Sequence, residues 1–145
     1  MINVNLDVMI SSPIGQVFNF VSAPENDFQW QYGALASSAL ADGVSNNVGS
    51  FFRSIGHLMG RRNFSSFEVT EYEQDRKFGF RSLTGPLQLY TSYTFERVDG
   101  VTKINLSTQA NVVNFFQMDE VKLEKNMRKQ GRENLALLKD LLEAT

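Results

Sequence analysis

The sequence predicts an α+β fold in which a curved, seven-stranded antiparallel sheet wraps around one long C-terminal helix, with two short helices between the first and second strands. Three observations lead there. From about Ala34 to Val112 the chain carries only strand and turn signals. From Met118 to Ala144 it reads as one amphipathic helix rich in Leu, Glu, Lys and Ala. Between these and the first strand, "SSPIGQVFNFVSAPENDFQW" (Ser11 to Trp30) holds two helix-start signals back to back.

In "NVNLDVMI", Val4, Leu6, Val8 and Ile10 alternate with Asn5 and Asp7, the period of a half-buried strand. Ser12 before Pro13 predicts an N-cap followed by proline at the first helical position, where the missing N–H costs nothing. Ile14, Val17, Phe18 and Val21 then form one apolar stripe. Ser22 and Glu25 have capping-box spacing around Pro24, which predicts a second short helix carrying Phe28 and Trp30. Pro24 forces the break by pushing Ala23 out of the helical region.

"GSFFRSI" and "NFSSFEVTEY" flank a hairpin loop predicted to contain Gly56, His57 and Gly60. "KFGFRSL" follows, and Gly85-Pro86 leads into "LQLYTSYTFERV". Asp99-Gly100 is the strongest turn signal, because a two-residue type I′ turn needs positive φ at both positions. "TKINLSTQA" returns as the partner strand. In the final helix Leu135, Leu138 and Leu142 make one row and Leu137 and Leu141 another, whereas the N-terminal half offers little beyond Val121 and Met127. A helix of this length, about 40 Å at 1.5 Å per residue, is long enough to cover one face of the sheet. The two short helices would plug one end of the curl. With no repeat or linker, residues 1–145 are expected to form a single domain.

Composition removes several function classes. The formal net charge is −2, so no global field draws the protein to nucleic acid or anionic membrane. The basic run from Lys122 to Arg132 is interleaved with Glu124 and flanked by Glu120 and Glu133, and is expected to be a solvated helix face. There is no cysteine, which excludes disulfides and thiolate chemistry, and the single His57 excludes a multi-histidine metal site within one chain. No metal or cofactor is expected. No run approaches the ~18 apolar residues of a membrane helix, and the first residues lack the basic-then-apolar pattern of a signal peptide. Membrane insertion is therefore not expected, and the cytoplasm is the default compartment.

The order and spacing of "SSPIGQVFNFVSAPENDFQW", "FEVTEYEQDRKFGFRS", "YTFERVDGVTKINLSTQA" and "RENLALLKDLLEA" resemble the START-like superfamily, also called SRPBCC, whose fold is the helix grip. The nearest branch in pattern is the bacterial polyketide cyclase/dehydrase-like proteins. The resemblance implies binding of a lipid-, polyketide- or quinone-like molecule between sheet and long helix. It implies no catalytic residue set.

Strand alternation indicates what faces that space. Leu87, Leu89, Thr91, Tyr93 and Phe95 share one face; so do Ile104, Leu106, Thr108 and Ala110; so do Phe78 and Phe80; and so do Asn63, Ser65, Phe67 and Val69. The strand at Phe51-Phe52-Arg53 is apolar on both faces and gives no assignment, although Arg53 outward fits better. Twelve Phe against one Trp and four Tyr suit either a bulky core or an apolar pocket. The expected ligand-binding set is Trp30, Phe67, Phe78, Phe80, Leu89, Thr91, Tyr93, Leu106, Thr108, Met127 and Gly131. Trp30 is placed at the entrance, and Gly131, on the helix row that faces the sheet, fits either tight packing against a Phe of the sheet or room left for a ligand. No inward strand position carries an ionisable group other than Tyr93, so no catalytic residues are assigned. The main expectation is a binding module for a hydrophobic or aromatic small molecule. The alternative is a cyclase/dehydrase-type enzyme using Tyr93 or His57, and a ligand-free protein-interaction module stands third. A homodimer is left open.

Overall fold

The computed structural model describes residues 1–31, 34–39, 48–58, 60–112 and 119–144. Seven strands form one antiparallel sheet: β1 (Ile2–Ile10), β2 (Ala34–Ala39), β3 (Phe51–Leu58), β4 (Arg61–Glu73), β5 (Lys77–Thr84), β6 (Leu87–Val98) and β7 (Val101–Val112). Their spatial order is β1-β7-β6-β5-β4-β3-β2, so every link but one joins neighbours. The exception is the β1–β2 connection, which crosses from one edge of the sheet to the other. It carries α1 (Ile14–Val21), a 3₁₀ turn (Pro24–Asn26) and α2 (Asp27–Trp30). The long helix α3 spans Glu120–Glu143.

Asp99 and Gly100 have φ of 51° and 82°, and Val98 pairs with Val101 across them, so the β6–β7 hairpin closes as predicted. Register shifts interrupt β4 between Ser66 and Phe67 and between Val69 and Glu71. Bulges of this kind bend a strand and tighten its twist, which helps the sheet curl over a helix. The second shift also changes the phase of the strand. Val69 faces the core, and beyond it Tyr72 does, packing edge-on against Phe18 at 5.3 Å.

Two helix starts differ from the sequence expectation. Pro13, with φ −60° and ψ 142°, is itself the N-cap of α1, and no side chain caps the helix. Ser12 is instead buried against the sheet, where its carbonyl accepts from Thr102 Oγ1 at 2.7 Å. The Ser22–Glu25 capping box does not form. Ser22 is buried and ends α1, its N–H donating to the Phe18 carbonyl at 2.9 Å, and Ala23 precedes Pro24 as the uncapped start of the next turn. The break itself falls where Pro24 demands it. For α3, Asp119 is the N-cap and accepts from the Val121 N–H at 3.0 Å, and Met118, the first residue expected of this helix, lies outside the described residues.

β1 is an edge strand, and an edge leaves a row of backbone groups without partners. Charged side chains of α3 supply them. Arg128 donates to the Asn3 carbonyl at 3.2 Å, Lys139 donates to the Met9 carbonyl at 2.9 Å, and Glu143 accepts from the Ser11 N–H at 2.7 Å. Glu124 accepts more weakly from the Asn3 N–H at 3.4 Å. Part of the run expected to be a solvated helix face therefore covers a sheet edge, and α3 lies along β1. Gly131 permits the close approach: a Cβ there would stand 2.7 Å from Leu6 Cδ1.

The buried apolar side chains fall into two clusters. The larger contains Ile10, Val17, Phe18, Trp30, Phe78, Tyr93, Phe95 and Ile104, with Leu135, Leu138 and Leu142 from α3. The smaller gathers Ile2, Val4, Ala110 and Leu123 near the other end of the helix.

Candidate functional site

Between the two clusters the concave face of the sheet and the middle of α3 do not meet, and a cavity of about 260 Å³ remains. This lies just below the ~300–1,000 Å³ typical of small-molecule pockets. Its floor is the inner face of β3 to β7, read off the strand alternation: Phe52 and Ser54; Asn63, Ser65 and Phe67; Phe80 and Ser82; Leu87, Leu89, Thr91 and Tyr93; Leu106 and Thr108. The helix contributes Met127, Gln130, Gly131 and Asn134, spaced i, i+3, i+4, i+7 and so on one side. Asp27 and Gln31 close the α2 side.

The structure brings Phe67, Phe80, Leu89, Thr91, Tyr93, Leu106, Thr108, Met127 and Gly131 together around this space. It does not bring Trp30 and Phe78 there. Trp30 is 1% exposed, so it is a core residue rather than an entrance residue, and its indole is already out of water. Its ring meets Tyr93 edge-on at 6.2 Å, while Phe78 stacks on the same tyrosine at 6.4 Å. The two hold Tyr93 from behind the cavity wall. Gly131 lines the cavity with backbone, but its missing side chain would point at Leu6. The close approach of α3 to β1 explains this glycine, and room for a ligand does not. His57 is not a loop residue: it lies within β3, pairs with Arg62 and is exposed at the cavity rim. Gly56 too belongs to β3, which runs to Leu58.

The wall is aromatic where β3, β4 and β5 meet. Phe52 stacks on Phe67 at 5.0 Å, and Phe80 packs edge-on against both at 5.3 Å. This resolves the ambiguous strand, with Phe52 buried and Phe51 and Arg53 exposed. Several polar groups of the floor are paired within the protein. The Thr91 and Thr108 hydroxyls lie 3.3 Å apart, and Ser82 Oγ accepts from the Leu89 N–H at 2.8 Å while donating to the Leu87 carbonyl at 3.0 Å.

Asp27 is not among the residues expected from the sequence. A four-residue helix has too little periodicity to show which way a side chain points. Burial pushes the Asp27 carboxyl well above the usual carboxylate range, the Glu25 charge adds to this, and a hydrogen bond from the Ser37 side chain opposes it. Tyr93 is pushed up as well, first by burial and then by the Asp27 charge. Ser37 Oγ also lies 3.1 Å from Ser54 Oγ, which links the α2 side to the floor. Among the described residues no Lys or Arg lines the cavity, and no group of three or more His, Cys, Asp or Glu is placed to hold a metal.

No protein-family model matches the sequence, and no curated protein matches it. Solved structures do match. The START superfamily protein of Mycobacterium smegmatis is 14% identical with a TM-score of 0.75, the match covering 99% of this chain and 96% of that one. Ara h 8.0201 is 9% identical with a TM-score of 0.74 over 99% and 98%. The di-domain ARO/CYC BexL of the BE-7585A biosynthetic pathway is 15% identical with a TM-score of 0.74 over 97% of this chain and 46% of that one. The chain has the START-like helix-grip fold, the architecture its sequence resembles. No helix among the described residues is long and apolar enough to cross a membrane.

Proposed function

We propose that the protein binds a hydrophobic or aromatic small molecule in the cavity between the sheet and α3. The observation that carries this reading is a space of about 260 Å³ with an aromatic wall, at the point where the helix offers Gln130, Gly131 and Asn134 instead of leucines. Apolar walls supply burial, and a few convergent polar groups fix orientation. The cavity's size favours a compact guest of one or two fused rings over a long acyl chain. The alternative, a cyclase/dehydrase-type enzyme, takes its support from the likeness to the ARO/CYC di-domain and from Asp27 and Tyr93 in one apolar space.

Native mass spectrometry of the freshly purified protein tests the reading. A retained apolar molecule, or stoichiometric uptake of 2-ethylnaphthalene by the empty protein, is the expected result. A protein that leaves purification empty and takes up no apolar compound would overturn it.

A further inference from the structure

The cavity's titratable lining is acidic with the exception of one rim residue. Asp27 closes the α2 side, Tyr93 stands on β6, and His57 is exposed at the rim. The elements around Asp27 bring little else. Glu25 precedes it in the 3₁₀ turn, β2 (Ala34–Ala39) carries no charge, and α3 presents Gln130, Gly131 and Asn134. Among the described residues no Lys or Arg lines the space to hold a ligand's carboxylate or phosphate.

We propose that Asp27 and Tyr93 are paired hydroxyl donors that hold the carbonyl oxygen of a neutral ligand, which makes that ligand a compact apolar ketone, quinone or lactone. This rests on the binding reading above. Tyr93 is fixed for the role: Trp30 meets its ring edge-on and Phe78 stacks on it, so its hydroxyl has a set position before any ligand arrives. Asp27 and Trp30 are three residues apart on α2, so the helix that places the carboxyl also supports the tyrosine. A desolvated carboxyl is neutral at lower cost than ionised, and in that form it presents an O–H. Its raised proton affinity, caused first by burial and then by Glu25, supports the donor state, as the same effect does for Tyr93.

The alternatives are weaker on physical grounds. An anionic guest would enter an apolar space facing Asp27, with no lysine or arginine among the described lining residues to compensate. An ammonium guest would require a buried ion pair, whose desolvation often exceeds its Coulomb gain. A neutral carbonyl oxygen meets two neutral donors and buries no charge.

The test keeps the apolar body constant and changes the head group. Calorimetric titrations of the full chain would use 2-acetylnaphthalene, 2-ethylnaphthalene, 2-naphthoate and 1-(2-naphthyl)ethylamine. Each would be run from pH 5.5 to 9 against wild type, Asp27→Leu and Asp27→Asn. The expected result is that wild type binds the ketone about tenfold tighter than the ethyl compound, roughly the worth of one or two buried hydrogen bonds. That preference should shrink as pH rises and the carboxyl ionises, vanish in Asp27→Leu, and become independent of pH in Asp27→Asn, whose amide still donates. A Tyr93→Phe variant should lose part of the preference and keep the remaining pH dependence. If the ethyl compound binds but the ketone gains nothing, or the gain survives in Asp27→Leu, the donor pair is wrong and the pocket stands. If the amine binds tightest and needs Asp27, the residue is a counter-ion and the proposal falls. If no naphthalene compound binds, the pocket reading fails and the proposal with it.

Discussion

Under the last turns of α3, Leu135, Leu138 and Leu142 join Phe18, Phe95 and Ile104 in one buried cluster. Further toward the N-terminus, Gln130, Gly131 and Asn134 face Phe67, Phe80 and Leu106 across a cavity of about 260 Å³. Both floors carry aromatic residues on the inward phase of alternating strands, but the cavity floor adds the short polar side chains Ser54, Asn63, Ser65 and Ser82. The helix differs as well. Where it carries leucine the interdigitated side chains fill the gap, and where it carries neutral polar residues and glycine the gap stays open. Helix and sheet together therefore decide which part of one concave face is core and which part is site.

The largest expected effect separates the two regions by truncation. Phe18 is fully buried, with T-shaped contacts to Tyr72 at 5.3 Å and Phe95 at 5.1 Å, so Phe18→Ala should cost about 3–5 kcal/mol in urea denaturation. Phe80→Ala, at the cavity wall, should cost less than half as much, because that ring already borders space and loses fewer contacts. Equal losses would mean that the middle is packed like the end.

Gly131 gives the next largest effect. Its Cβ direction runs into Leu6, so Gly131→Leu should overpack the contact between α3 and β1 and destabilise by about 1–3 kcal/mol. Gly131→Ala should be nearly neutral, the gain in helix propensity offsetting a small shift of the Leu6 methyl. A stabilised Gly131→Leu variant that no longer binds an apolar probe would return this glycine to the cavity floor.

Asp27 titrates the hollow region. Its folded-state pKa is raised above the unfolded value of about 3.9, so the fold binds that proton more tightly than the unfolded chain does. The associated stability is present in full below about pH 4 and is lost as pH rises through the folded pKa. Asp27→Asn should therefore be more stable than wild type at pH 7 to 8, with the advantage fading as pH falls toward 4. Denaturation midpoints across that range check it, and an advantage that grew on acidification would place the carboxyl in a favourable ion pair instead.

The outer face should respond least. Arg81 pairs with Glu68 at 2.6 Å on the outside of the sheet, where an ion pair is worth about 0–1 kcal/mol. Glu68→Gln should change stability within that range and leave probe affinity within a few-fold. A larger change in affinity would mean that the two faces of β4 are coupled.

Most of the fold was legible because it follows from periodicity. The inward phases of β6 and β7, the Asp99-Gly100 turn and the leucine rows of α3 are local patterns with one physical solution. The cavity floor followed from the same alternation. What escaped depended on contacts distant in sequence. Ser12 and Ser22 carry cap-like spacing but are buried, so their hydroxyls do not act as predicted. Glu124 and Arg128 look like solvated charges until β1 is known to be an edge. Gly131 reads as tight packing or as a vacancy until Leu6 stands opposite. Asp27 sits on a helix too short to show a face, and Gln130 and Asn134 read as ordinary polar positions although they share a row with Met127.

The most direct test of the central claim is methyl-resolved NMR during a titration with 2-ethylnaphthalene. If the middle of the grip is a binding space and its end a filled core, the methyl signals of Leu89, Leu106 and Met127 should shift on binding, while those of Leu138 and Leu142 stay in place. Shifts centred on Leu138 and Leu142, or no shift at saturating ligand, would contradict the account.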